Sequence, residues 1–300
     1  MTTASIVFDP GQYELLDFGD GRKLERFGAV VLDRPSPAAE GLAVADPHKW
    51  ASATARFAAE RGRAGTWDPA PPVQEAATPT WTVAHGKFRL TLQPGPSGNI
   101  GVFPEHSANW GWIADRVREQ AASRPEQPAR ILNLFGYTGA ASLAAAAAGA
   151  EVTHVDSAGP TVAWAKRNAA DSGLEDRPIR WIVEDAMKFV AREVRRGNRY
   201  DGIIADPPTY GHGPKGRPFK FRDSVDELIG QCAALLDQTS TAAFFVFTCH
   251  TPGFGSGHAV DAVSAVLPGG VGAVDGFDLE LRTADGRALP AGVCARWRSH

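Results

Sequence analysis

The sequence predicts an α/β protein: a doubly wound, mostly parallel sheet with helices on both faces, behind a small N-terminal α+β domain. Three observations carry this. Apolar strand-like runs alternate with helical runs from residue 129 onward. Residues 129–156, ARILNLFGYTGAASLAAAAAGAEVTHVD, read as a buried strand, a glycine-bearing turn, a small-residue helix and a second strand ending on an acid. The first hundred residues differ in texture, with short β-like runs, many prolines and turn pairs. The expected domains are 1–97 and 98–300.

In the N-terminal domain, residues 13–18 and 23–32 around Asp20-Gly21 predict a hairpin. Asp46-Pro47 opens an expected helix with Trp50, Ala53, Thr54 and Phe57 on one face, and residues 62–72 form a loop. A second hairpin, 81–84 and 87–92, turns at His85-Gly86. The resulting strand-strand-helix-strand-strand module reads equally as a scaffold or as a substrate-recognition element. Residues 98–113 follow, rich in aromatic and polar side chains. Phe103 or Trp110 there could lie over a cofactor, while Trp110 and Trp112 could equally be core. A helix over 110–122 and a linker at 124–128 lead into the first core strand.

The central turn is Asn133-Leu134-Phe135-Gly136-Tyr137-Thr138-Gly139. Its two glycines allow a tight turn and close approach of a ligand. Thr138 is placed to cap the next helix, and Gly149 to end it. Asp156, followed by Ser157, lies about 20 residues beyond Gly136, the spacing at which a βαβ unit sets a carboxylate beside an adenosine ribose. A dinucleotide pyrophosphate needs G-x-G-x-x-G against bare backbone, and this chain offers only G-x-x-G. The pattern disfavours a dinucleotide oxidoreductase and suits S-adenosylmethionine, which has an adenosine but no phosphate. An ordinary α/β turn with a strand-end acid is the plain alternative.

Pro160 starts the next helix and Gly173 ends it. The strand 179–183 runs into Glu184-Asp185-Ala186; Asp185 is the expected partner of an adenine amine, the helix N-cap, or both. The helix 186–196 carries Lys188, Arg192, Arg195 and Arg196, with Arg199 beyond, a solvated face or an RNA contact. The strand 200–205 ends in Asp206-Pro207-Pro208-Thr209-Tyr210. Paired prolines fix the chain leaving the strand and hold Asp206 still, Tyr210 could stack on a planar substrate, and His212 and Lys215 beyond form a lip that could meet a phosphate. A helix over 223–236, a buried strand 243–250, a helix over 257–267 and two strand runs, 271–282 and 291–297, complete the alternation.

At 300 residues, 43% apolar and 22% charged, the chain can bury a sizeable core. A net charge of −3 disfavours strong non-specific nucleic-acid binding. Cys232, Cys249 and Cys294 are too few and too irregular for a disulfide framework or a metal site. No signal peptide or spanning stretch is evident, so a cytoplasmic location and no membrane association are expected. Nothing in the sequence sets an oligomeric state.

With NLFGYTGA, the strand-end Asp156, Glu184-Asp185 and DPPTY in this order, the chain resembles the class I S-adenosylmethionine-dependent methyltransferases, whose domain is Rossmann-like. Residues 101–255 more narrowly resemble the bacterial large-subunit ribosomal RNA methyltransferases, which include 5-methylcytosine and 7-methylguanine enzymes and place a strand-strand-helix-strand-strand module before the catalytic domain. The resemblance implies S-adenosylmethionine as cofactor, held by Phe103, Asn133, Phe135, Gly136, Thr138, Gly139, Asp156, Ser157, Asp185, Ala186 and Asp206. It implies a base in ribosomal RNA as acceptor, handled by Asp206, Pro207, Pro208 and Tyr210. A small molecule or protein acceptor on the same fold, or an inactive RNA-binding or assembly factor, are the alternatives. Two departures stand out: no room for a PUA domain ahead of Tyr13, and TCHTPG where the cytosine enzymes have a cysteine followed by serine. Cys249 is thus either a nucleophile that adds to carbon-6 of cytosine or an inert thiol in an apolar strand.

Overall fold

The computed structural model describes residues 8–59, 65–69, 81–211, 219–240, 242–267 and 271–300. The chain forms two compact units, Ser5–Ser107 with Glu280–Ala291, and Ala108–Leu279 with Gly292–His300. The division therefore falls at residue 107 rather than 97, and a late segment rejoins the N-terminal unit.

That unit holds β1 (Tyr13–Gly19), β2 (Arg22–Phe27), β3 (Val30–Pro35), β4 (Ala55–Ala58) and β5 (Thr66–Asp68) in one sheet, in chain order. β6 (Trp81–His85) and β7 (Phe88–Leu92) form the expected second hairpin, turning at Gly86 with φ 54°. Three expectations fail here, the first because β5, paired with β4, lies inside the expected loop 62–72. The run 23–32 is two strands, because Gly28 takes φ 62° and reverses the chain. The helix expected after Asp46-Pro47 is one 3₁₀ turn, Lys49–Ser52, followed by β4. Thr54 explains it: its amide and hydroxyl both donate to the Val31 carbonyl, at 2.8 and 2.7 Å, and its hydroxyl accepts from the Val31 amide, drawing the chain into parallel pairing with β3. Asp17 fastens this unit. Burial works against its charge, but donors from Asp46, Trp50, Ala45 and Arg287 overcome that and hold its carboxyl down at about 2.

The larger unit begins on α1 (Ser107–Ser123) and continues with β8 (Arg130–Leu134), α2 (Ala140–Ala147), β9 (Glu151–Asp156), α3 (Gly159–Asp171), β10 (Ile179–Val183), α4 (Ala186–Arg195) and β11 (Gly202–Ala205). Two short strands, β12 (Tyr210–Gly211) and β13 (Phe219–Lys220), precede α5 (Phe221–Leu235), β14 (Phe244–Cys249), α6 (Ser256–Val266), β15 (Gly272–Arg282) and β16 (Ala288–Ser299). The sheet order is β10-β9-β8-β11-β14-β16-β15. Its first five strands are parallel and β16 runs antiparallel to β14. One face is closed by α4, α5 and α6, whose Phe189, Leu228 and Val263 share a core with Leu132, Ile203 and Phe245.

This order decides where chemistry can sit. The chain passes from β8 outward to β9 and β10, then returns to place β11 on the other side of β8. A crevice opens at such a switch point, at the carboxyl ends of the strands. The glycine turn after β8 and Asp206 after β11 both emerge there. Among the described residues no helix is long and apolar enough to cross a membrane.

Candidate active site at the switch point

The turn after β8 is wound tightly. Phe135 (φ 55°), Tyr137 (φ 49°) and Gly139 (φ 93°) all lie in the left-handed region, at roughly 1–2 kcal/mol for each of the two that carry a side chain. Gly136 donates to the Val155 carbonyl and Gly139 to the Gly136 carbonyl, each at 3.0 Å, so the loop is pinned against β9. Gly136 must lack a side chain: a Cβ there would lie 2.4 Å from Cε1 of His154 and 2.5 Å from its Nδ1. That imidazole is fully buried, touches the Trp181 ring, and meets the Ser142 hydroxyl at 3.0 Å; Ser142 in turn accepts from Asn133 at 2.8 Å. Burial pushes His154 down to about 3, so the ring is neutral.

Asn133 is therefore drawn under the turn, its buried amide donating to Ser142. Thr138 is also buried, and the α2 N-cap is Gly139, correcting the expected Thr138 cap. The Thr138 carbonyl instead accepts from Asn168 at 2.8 Å, tying the turn to α3. Asn133, Ser142 and His154 form a group that sequence reasoning missed. Nothing local in the sequence marks it, since the three come from different elements.

Asp156 stands at the end of β9. One carboxylate oxygen accepts from the Tyr137 amide and the other from the Ala158 amide, both at 2.9 Å. A carboxylate has about four acceptor positions, so each oxygen can still take a hydroxyl. Burial raises its pKa against those two amides, and a pair of donating hydroxyls would restore the charged form. That donor set fits the ribose of S-adenosylmethionine. Ser157 is half-buried beside it. At the end of β10, Glu184 is clamped bidentately by Arg192, at 2.6 and 2.7 Å. Asp185 caps α4 by accepting from the Lys188 amide at 3.0 Å, keeping its other oxygen for a ligand, with Ala186 buried behind. A cavity of about 510 Å³ adjoins it, lined by Asp185, Met187, Lys188, Phe219, Lys220 and Asp223 among others. The Phe135 ring packs on Phe219, with centroids 5.4 Å apart.

At the end of β11, Asp206 accepts from the Thr248 hydroxyl at 2.6 Å. Nε2 of His250 lies 3.6 Å from the same oxygen, an ion pair when the imidazole is protonated. Thr209 and Thr251 meet at 3.0 Å, so the loops after β11 and β14 are tied twice. Pro207 is buried, Pro208 exposed, and Tyr210 is 51% exposed. Thr248 and Thr251 went unnoticed in the sequence, although parallel neighbours bring residues beside Cys249 alongside Asp206. His212 and Lys215 lie outside the described residues.

Cys249 does reach the neighbourhood of Asp206, yet it is 1% exposed in the apolar core, and its sulfur accepts from the Thr251 amide at 3.2 Å. Burial raises its pKa, with the Asp206 charge adding to the shift, which opposes a reactive thiolate. The nucleophile expectation has no support in this geometry. Nε2 of His250 faces Asp206. Phe103 belongs to the N-terminal unit, where its ring packs edge-on to His106. In the basic run of α4, Arg192 and Arg196 hold Glu184 and Glu193 of the protein itself.

Known proteins resemble this chain in sequence and in fold. The family model for S-adenosylmethionine-dependent methyltransferases matches residues 37–228. A crystal structure of a SAM-dependent methyltransferase from Agrobacterium tumefaciens is 34% identical, with TM-score 0.87, over 97% of this chain and 92% of that one. A structure of SMU.776 with SAH shares the fold at TM-score 0.69 and 17% identity, over 98% of this chain and 76% of that one. The ribosomal RNA large-subunit methyltransferase K/L of Shewanella baltica is 33% identical over 167 residues, which are 53% of this chain and 21% of that protein. The chain thus spans about a fifth of the length of that curated relative. With the family model covering more than half of the sequence, the chain belongs to the S-adenosylmethionine-dependent methyltransferases.

Proposed function

We propose that this methyltransferase modifies a nitrogen of a nucleic-acid base, in ribosomal RNA, in the cytoplasm. The observation that carries the reading is Asp206, locked by Thr248 and followed by two prolines at the switch point, while the nearby thiol of Cys249 is buried. S-adenosylmethionine supplies an electrophilic methyl group when bound. Asp156 would hold its ribose and Asp185 its adenine. Asp206 would accept a hydrogen bond from the acceptor base and orient it for in-line approach, which supplies much of the rate in such transfers. Tyr210, exposed beside it, gives a face for stacking. Nε2 of His250 would receive the proton that the acceptor nitrogen releases. Support for RNA comes from the relatives named for ribosomal RNA, matched over 53% of this chain.

The test is mass spectrometry of nucleosides in ribosomal RNA from a strain lacking the gene. Disappearance of one methylated base is expected, regained on complementation. An unchanged profile would turn the assignment to a small-molecule or protein acceptor, or to an assembly factor.

Two substitutions probe the site. Asp156→Ala removes charge-assisted hydrogen bonds of about 1.5–3 kcal/mol, so S-adenosylmethionine should bind at least about tenfold more weakly by calorimetry. Unaltered affinity in a folded variant would sink the ribose role. Cys249→Ala should retain activity within about threefold and lose about 1 kcal/mol of stability. Likewise no adduct should form with RNA containing 5-fluorocytosine, and a hundredfold loss or a trapped adduct would reinstate the thiol route.

A further inference from the structure

The edge of the sheet opposite the switch point carries a basic groove. Arg130, Arg177 and Arg180 line a cavity of about 450 Å³ with Glu151 and Tyr200, at the amino ends of β8, β9 and β10. A second cavity of about 390 Å³ shares Arg130, Glu151 and Tyr200 and extends the groove to Arg199. The acids along this extension are Glu151, Asp237 and Asp201, the last paired with Arg124 at 2.5 Å. Arg130, Arg177, Arg180 and Arg199 make no ion pair within 4 Å among the described residues, unlike Arg192 or Arg124, although the Arg180 charge acts at longer range on Glu193. The guanidinium of Arg130 is held over the Tyr200 ring, 5.4 Å from its centroid, and Tyr200 is anchored by its hydroxyl on Glu193 at 2.9 Å. Guanidinium groups lining one groove attract anions, and their planar fork matches phosphate oxygens; Glu151 offsets only part of that charge. The chain as a whole carries −3, so this basic groove is a local departure.

We propose that this groove grips the phosphate backbone of the RNA substrate away from the methylated base, an inference that rests on the RNA reading above. β8 separates it from the glycine turn by five residues, roughly 16 Å of strand. β8 is buried between its neighbours, so an RNA joining the two sites passes round the unit by a path longer than that strand. Contacts there carry no base identity; they supply affinity and salt dependence, and they act on KM more than on kcat.

The probe is a fluorescein-labelled single-stranded RNA of about 20 nucleotides, followed by anisotropy in the full chain at about 50–200 mM NaCl. Arg177→Glu/Arg180→Glu should weaken binding at least about tenfold and flatten the logarithmic salt slope by about 1.4, two lost phosphate contacts at about 0.7 each. Arg177→Ala/Arg180→Ala should move both readings in the same direction, and affinity for S-adenosylmethionine should stay unchanged in both variants. Equal affinity and slope in the variants would overturn the groove while leaving the RNA reading intact. Failure of the unaltered protein to bind the probe would overturn both. Competition by AMP as effective as that of the unlabelled RNA would make the groove a mononucleotide site and overturn the backbone assignment.

Discussion

Asp206→Ala is expected to lower methyl transfer at least about a hundredfold, the scale of losing one oriented hydrogen-bonding group in an active site, while S-adenosylmethionine binds within a few-fold of normal. The expectation follows from what holds the carboxylate. Thr248 donates to it from the neighbouring parallel strand, Pro207 and Pro208 stiffen the chain leaving β11, and Thr209 is tied to Thr251. This support is rigid before any substrate arrives, so removing the carboxylate removes a contact and leaves the frame. The loss should lie in kcat/KM for the acceptor, with calorimetry reporting an intact cofactor site. Asp206→Asn keeps an acceptor oxygen and should recover part of the rate. Normal turnover by Asp206→Ala would falsify the acceptor role.

Gly136→Ala should cost about 1–3 kcal/mol of stability, the usual range for overpacking, and should abolish measurable cofactor binding. A Cβ would fall 2.4 Å from the His154 ring, which cannot retreat: Ser142 holds one side of it and Trp181 covers another. The alternative is for the turn itself to move, and Phe135 and Tyr137 already occupy left-handed backbone that only a well-packed surround sustains. Movement there would take the Tyr137 amide off Asp156. Adding His154→Ala to Gly136→Ala should return part of the lost melting temperature, a favourable coupling between contacting positions. A Gly136→Ala protein that melts and binds cofactor normally would contradict the packing account.

Much of the larger unit was legible because its signals are local or evenly spaced. The strand-turn-helix-strand from Arg130 to Asp156, Pro160 at a helix start, Gly149 and Gly173 at helix ends and Asp185 as a cap all emerged as read. What escaped depends on contacts remote in sequence. Thr54 chooses a strand over a helix because Val31 offers both backbone groups to it, a partner no local pattern reveals. Asn133 lies in the motif, yet its amide donates to Ser142, which also meets His154. Cys249 sits where a nucleophile would be sought, and only burial within FFVFTC shows that its thiol is sheltered. The late segment 280–291 joins the N-terminal unit, where its Arg287 pairs with Asp17.

The position of β16 bears on the order of assembly during synthesis. The last strand along the chain pairs with β14, Phe244 opposite Arg298 through Cys249 opposite Val293, and also neighbours β15. The cofactor half, β8 to β11, can pair before the ribosome has released those residues. β14 cannot be covered so early, and its six residues are all buried in the finished sheet. Until 293–298 arrive, one flank of FFVFTC is an unpaired apolar edge of the kind that recruits foreign strands. Wherever β8 to β11 pair as they emerge, β14 is the strand left waiting for its partner, and that is where a chaperone would have most to protect.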